Sequence, residues 1–251
     1  MTLLRFVAAA LAAIALLCLA RVGPGWLCAG LSIGLAVLAV KINGRTLTRI
    51  DTFVQSWLAA HRSRGRQVDA NAVFSYLGQP IHFAVVVVFC GTLLALQARS
   101  AVRGALVVAV VGTGVVVEQA LKAAISRTAE PLAQYSHAFP SGHVTVWAAF
   151  LGMVAVCLGA GRSPATRAAL AISVLTGVLV VGFLALYSGA HIGTDILGGV
   201  ILGGALVALG AAILRASPPR VRLARAADMA AAVSAHTTPM RTEDILYGRG
   251  Y

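Results

Sequence analysis

Seven stretches of this chain, near residues 3–21, 25–41, 79–97, 104–125, 143–160, 168–188 and 191–214, stay apolar for close to the length a helix needs to cross a bilayer. A hydrocarbon core of about 30 Å and a rise of about 1.5 Å per residue require about 20 such residues. In lipid every backbone N–H and C=O must find a partner inside the protein, and unbroken apolar runs of this length do so as helices. The predicted fold is all-α: a polytopic transmembrane helix bundle of six or seven spans. With 59% of 251 residues hydrophobic and 11% charged, nothing is left over for a separate soluble domain.

Three segments follow from this pattern: N-terminal apolar helices over 1–44, a membrane domain over 45–214, and a cytoplasmic tail over 215–251. The tail holds Pro218, Pro219 and scattered arginines with few large apolar residues, a composition that predicts loose order. The first run follows Arg5 and ends near Cys18-Leu19-Ala20, so a cleaved signal peptide is the alternative to a span there. All four cysteines lie inside apolar runs and read as small buried hydrophobes, not as a disulfide framework or metal cage.

The net charge is +12, and only Lys41 and Lys122 among the 20 basic residues are lysines. Basic residues beside spans set orientation and touch headgroups, so the excess predicts topology and not nucleic-acid binding. With alternating spans, Arg99, Arg103, Arg162, Arg167, Arg215, Arg220, Arg222 and Arg225 share one side, taken as cytoplasmic. Residues 42–78, 126–142 and 189–190 then share the other, although Arg45, Arg49, Arg62, Arg64 and Arg66 make the first of these basic too. The expected location is the inner or plasma membrane, with both histidine motifs opening away from the cytoplasm. Residues 49–61 place Ile50, Phe53, Val54, Trp57 and Leu58 at helical spacing with Asp51, Gln55 and Ser56 elsewhere on the wheel. That predicts an amphipathic interfacial helix, or else a simple connector. Gly199 and Gly203 form a GxxxG pair suited to close helix packing.

Pro140-Ser141-Gly142-His143 stands immediately before an apolar run and forms the first turn of a membrane helix. Free N–H groups and the positive end of the helix dipole make such a start an anion seat. Ser141 adds a hydroxyl, Gly142 admits a ligand close to the backbone, and His143 puts an imidazole beside it. An ordinary capped helix would explain the serine but not the histidine. His191 and Asp195 are one turn apart at the start of the last run, where the carboxylate can orient the imidazole and steady its cation. Such pairs also cap helices; the weight of this one comes from the matching position of the other motif. Lys122, four residues after Glu118 at the end of the fourth run, either snorkels to the interface or serves an anion, with Glu118 as an ion-pair partner. Arg127 follows in the loop leading to Pro140.

In this order, Lys122 to Arg127, Pro140 to His143, and Tyr187 through Asp195 to Gly199 resemble the type 2 phosphatidic acid phosphatase superfamily of membrane lipid phosphatases, over roughly residues 45–212. The resemblance implies that His191 is a nucleophile forming a phosphohistidine, Asp195 its orienter, and His143 the acid that protonates the leaving group. It also implies that Lys122, Ser141 and Gly142 hold the phosphoryl oxygens; Arg127, from a shifted position, and a residue of the Arg45 to Arg66 segment are the candidates in this chain for further cations. The chain departs from the family where phosphate-gripping arginines are expected: Ala129 stands at the first, followed by Glu130 and Pro131, and Ala185 after Leu184 at the second.

The expected function is hydrolysis of a lipid or polyprenyl phosphate or diphosphate, with the bilayer and that lipid as partners and no metal or cofactor. The alternatives are lipid-linked phosphotransfer, and a member that binds a lipid phosphate or supports a complex without turnover.

Overall fold

The protein, seen in a computed structural model, is described over residues 23–42, 47–125 and 139–216. The apolar run 3–21, Arg127, Ala129, Glu130 and the tail from 217 lie outside the described residues. The described part is all helical, with eight helices and no strand: α1 (Pro24–Ile42), α2 (Arg49–His61), α3 (Arg64–Leu77), α4 (Pro80–Gln97), α5 (Ala101–Ala124), α6 (Gly142–Gly159), α7 (Pro164–Ser188) and α8 (Gly193–Ala216). Six of them, α1 and α4 to α8, are 18 to 25 residues long and apolar enough to cross a membrane. They match the last six of the runs read from sequence.

The helix boundaries have local causes. Pro80 and Pro164 open α4 and α7, where a missing N–H costs nothing. Ser163 accepts the Thr166 N–H to cap α7, and Thr48 and Asp51 form a reciprocal capping box at α2. Gly189 ends α7 at φ 86°, a left-handed conformation that other residues adopt only with strain.

Apolar packing concentrates on α5, α6 and α8, through Val107, Val110 and Val111 against Phe150, Met153, Leu202 and Leu206. Large side chains such as Phe89, Ile172, Leu179 and Phe183 remain exposed, as suits helices surrounded by hydrocarbon. The GxxxG pair does what its spacing predicts. A Cβ on Gly199 would lie 2.8 Å from the Ser141 carbonyl oxygen, and one on Gly203 2.6 Å from Ala148 Cβ. The two glycines therefore let α8 press against the start of α6.

The segment between α1 and α4 differs from its sequence reading in one respect. It holds two helices, because α3 follows α2 after only Arg62 and Ser63. In α2, Ile50, Phe53 and Trp57 are exposed, as suits a helix that lies in the headgroup layer, and Leu58 and Asp51 are buried. Asp51 faces inward because its partners are inside, as described below.

Gly203→Val is expected to destabilise the protein by about 1–3 kcal/mol through overpacking. Gly112→Ala, where a Cβ meets nothing within 4 Å, should be silent. Thermal unfolding in detergent compares the two.

Candidate active site

Five helix ends gather at one end of the bundle: the start of α4, the end of α5, the start of α6, the end of α7 and the start of α8. All the candidate residues that are described sit at this end. Ser141 is the N-cap of α6 and is fully buried, yet its Oγ neither caps the helix nor meets a hydrogen-bonding partner among the described residues. A buried hydroxyl without a partner costs about 1–3 kcal/mol, a cost that a bound acceptor would remove.

His191 does not lie on the α8 face with Asp195, as the spacing alone suggested. It precedes the helix, whose first residue is Gly193. Asp195 folds back instead: its Oδ2 accepts the Ile192 N–H at 3.3 Å and lies 3.5 Å from His191 Nδ1. That separation is a charge contact longer than a good hydrogen bond, and His191 Nδ1 has no hydrogen bond among the described residues. Such contacts are commonly long before substrate binds and tighten in the complex. With Nδ1 facing the carboxylate, Nε2 is the ring nitrogen left for chemistry. The His191 N–H donates to the Ala185 carbonyl at 3.2 Å, so the position where an arginine is expected holds a fully buried alanine whose backbone anchors His191.

Two links join the histidine motifs. The Ser141 N–H donates to the Asp195 carbonyl at 3.0 Å, fastening the start of α6 to the first turn of α8. Phe74 of α3 stacks on His143 at 4.1 Å between centroids and meets His191 edge-on at 6.2 Å. One buried aromatic ring thus touches both imidazoles.

Lys122 pairs with the buried Glu118. The Glu118 carboxylate in turn lies against α6: a Cβ on Gly142 would be 2.7 Å from Glu118 Oε1. Glycine is therefore needed at 142 to admit an anion, and the anion present is the protein's own carboxylate. Gln119 donates to the other carboxylate oxygen at 3.2 Å.

Besides Phe74, three further contributors were not singled out from sequence as parts of this site. Arg62 donates from Nη2 to the Leu186 carbonyl at 2.6 Å, and Gln67 from Nε2 to the Ser188 carbonyl at 3.1 Å. Together they satisfy the end of α7, a cation at the negative end of a helix dipole. Burial pushes the Arg62 guanidinium below its ordinary value, with nearby Tyr187 opposing the change. Gly78 is the third: a Cβ there would fall on the His143 imidazole itself. The bulk of α3 and the absence of a side chain at 78 together enclose His143.

Fold and site define a polytopic helical membrane protein with two histidines and a carboxylate gathered at one end of its bundle. Residues 106–218 match the family model of the PAP2 superfamily. The chain is also similar in structure to a transmembrane PAP2-type phosphatidylglycerolphosphate phosphatase from Bacillus subtilis, at 22% identity and a TM-score of 0.65, covering 77% of this chain and 98% of that one. At that identity the likeness is one of fold. No curated protein matches the sequence. The matched segment runs from α5 to just beyond α8 and leaves out α2 and α3, the helices that supply Asp51, Arg62 and Phe74.

Stacking on Phe74 should shift the His143 ring protons upfield in NMR spectra of the protein in nanodiscs. Gly78→Ala is expected to abolish that shift by displacing the imidazole. Gly65→Ala, in open space on the same helix, should preserve it.

Proposed function

We propose that this protein hydrolyses a lipid or polyprenyl phosphate or diphosphate through a phosphohistidine on His191, at the membrane face away from the cytoplasm. The observation that carries the proposal is the position of Asp195. Its carboxylate faces His191, and its carbonyl holds Ser141 beside His143, so a nucleophile, its orienter and an acid share one small region. The superfamily match over residues 106–218 supports the same chemistry at the family level. The sidedness rests on Arg99, Arg103, Arg162, Arg167 and Arg215 at the opposite ends of the spans.

In this scheme the lone pair on His191 Nε2 attacks phosphorus while the bond from phosphorus to the lipid oxygen breaks. The electrons of that bond leave on the alkoxide, or on phosphate if the substrate is a diphosphate, and His143 supplies the proton. Asp195 steadies the positive charge that develops on His191. Water then attacks the phosphohistidine and gives a proton to His143, and the P–N electrons return to the His191 ring as inorganic phosphate departs. Phosphoryl transfer asks mainly for alignment and for charge on the equatorial oxygens. The α6 N-terminus, the Ser141 hydroxyl and the Gly142 N–H serve those oxygens, with Lys122 and Arg127 as the cations. Apolar span surfaces hold the tail in the bilayer while the headgroup reaches the site.

A second reading, lipid-phosphate binding without turnover, is favoured by two observations. Ala185 is buried where a cation is expected, and Lys122 is already paired with Glu118.

Phosphate release by purified protein from a panel of lipid and polyprenyl phosphates decides between them. Hydrolysis that falls by about a thousandfold or more in His191→Ala, about 4 kcal/mol of transition-state stabilisation, is the expected result. Binding of the same lipids with no release of phosphate would establish the second reading instead. Enzyme quenched in alkaline detergent should carry a base-stable, acid-labile phosphoryl group in His143→Ala and none in His191→Ala.

A further inference from the structure

Helix α8 begins without a cap of its own. The residue before Gly193 is Ile192, whose side chain cannot accept an N–H, yet the first turn of a helix presents N–H groups that need acceptors. Asp195 turns back to the Ile192 N–H. The Thr194 N–H is taken by a residue 143 positions earlier: Asp51 of α2 accepts it through Oδ1 at 2.8 Å, and accepts the Thr194 hydroxyl at 3.0 Å. The other carboxylate oxygen of Asp51 accepts the Thr48 N–H at 2.9 Å and the Thr48 hydroxyl at 2.8 Å. The carboxylate is 0% exposed, and a buried carboxylate is tolerable only with this density of donors and, here, the positive end of a helix dipole.

Thr194 adjoins Asp195, so the turn that Asp51 holds is the turn that presents a carboxylate to His191 and a carbonyl to Ser141. We infer that Asp51 caps α8 in trans and thereby sets the approach of Asp195 to His191. It is a positioning residue supplied by a helix outside the superfamily match. It acts through Thr194 and Asp195, and only the kinetic form of its test rests on the lipid phosphatase reading.

Asp51→Asn keeps the shape but turns an acceptor of the Thr48 N–H into a donor. Thr194→Val keeps the Asp51 charge and the backbone bond and removes only the hydroxyl, so it serves if Asp51→Asn does not fold. The first readout needs no turnover. Nitrogen-15 spectra of the His191 imidazole in nanodiscs report which ring nitrogen holds the proton. Wild type should show it on Nδ1, facing Asp195, and Asp51→Asn and Thr194→Val should show mixed tautomers. Thr194→Ser, which retains both donors, should restore the wild-type spectrum. An unchanged tautomer in both Asp51→Asn and Thr194→Val overturns the inference whether or not the protein hydrolyses anything.

The second readout is kinetic, on whichever lipid phosphate the wild type cleaves. Asp51→Asn should lower kcat by roughly tenfold or more with KM within about twofold, as loss of an outer partner of a catalytic group does. On an Asp195→Asn background it should cost nothing further, because both changes act through one contact. Losses that multiply on the two backgrounds would mean that Asp51 merely holds the fold, and would sink the assignment. An inactive wild type with the expected tautomer change would refute the phosphatase reading and leave the positioning role standing.

Discussion

Two helix termini meet between Ser188 and Gly193, and neither satisfies its backbone alone. The end of α7 leaves carbonyls and the start of α8 leaves N–H groups, at a membrane boundary where an unpaired polar group is costly. The α2–α3 pair answers both. Arg62 and Gln67 take carbonyls of Leu186 and Ser188, and Asp51 takes the N–H of Thr194. Each charge matches the dipole end it meets. The turn fixed in this way carries His191, and it reaches the other histidine motif through the bond from Ser141 to Asp195. The interfacial helices are therefore part of the site's architecture and not a mere connection between spans.

The distribution of positive charge sets the limits of the site. Among the described residues, Ala185 is buried where a cation is expected and Lys122 is already paired with Glu118. Binding of a phosphoryl group there would lean on the helix N-terminus, the Ser141 hydroxyl and rearrangement of the Lys122–Glu118 pair. A charge-assisted hydrogen bond is worth about 1.5–3 kcal/mol, so release of Lys122 from Glu118 would recover a large part of what an absent arginine forfeits.

How far the sequence disclosed this arrangement depended on whether the cause was local. Spans were legible because the length and apolarity of a lipid-facing helix are carried by its own residues. The Pro140 to His143 helix start was legible for the same reason, since proline, serine and glycine have local preferences at a helix entrance. The GxxxG contact of Gly199 and Gly203 followed from spacing. Asp51 was placed off the apolar side of its helix and given no role, because its acceptor role is set by Thr194, 143 residues away. Helix α3 lacks a continuous apolar face, and nothing local marks Phe74 or Gly78 as neighbours of His143. The pairing of His191 with Asp195 was found by assuming a continuous helix, whereas the contact arises from Asp195 folding back across a helix start.

The central claim is that the two histidine motifs form one phosphoryl site. A high-resolution structure of the full-length protein with orthovanadate tests it most directly. The account predicts a five-coordinate vanadium with His191 Nε2 at one apex, the opposite apical oxygen toward His143, and equatorial oxygens on Ser141 Oγ and the Gly142 N–H. Vanadate bound away from His191, or no vanadate at this end of the bundle, would contradict it.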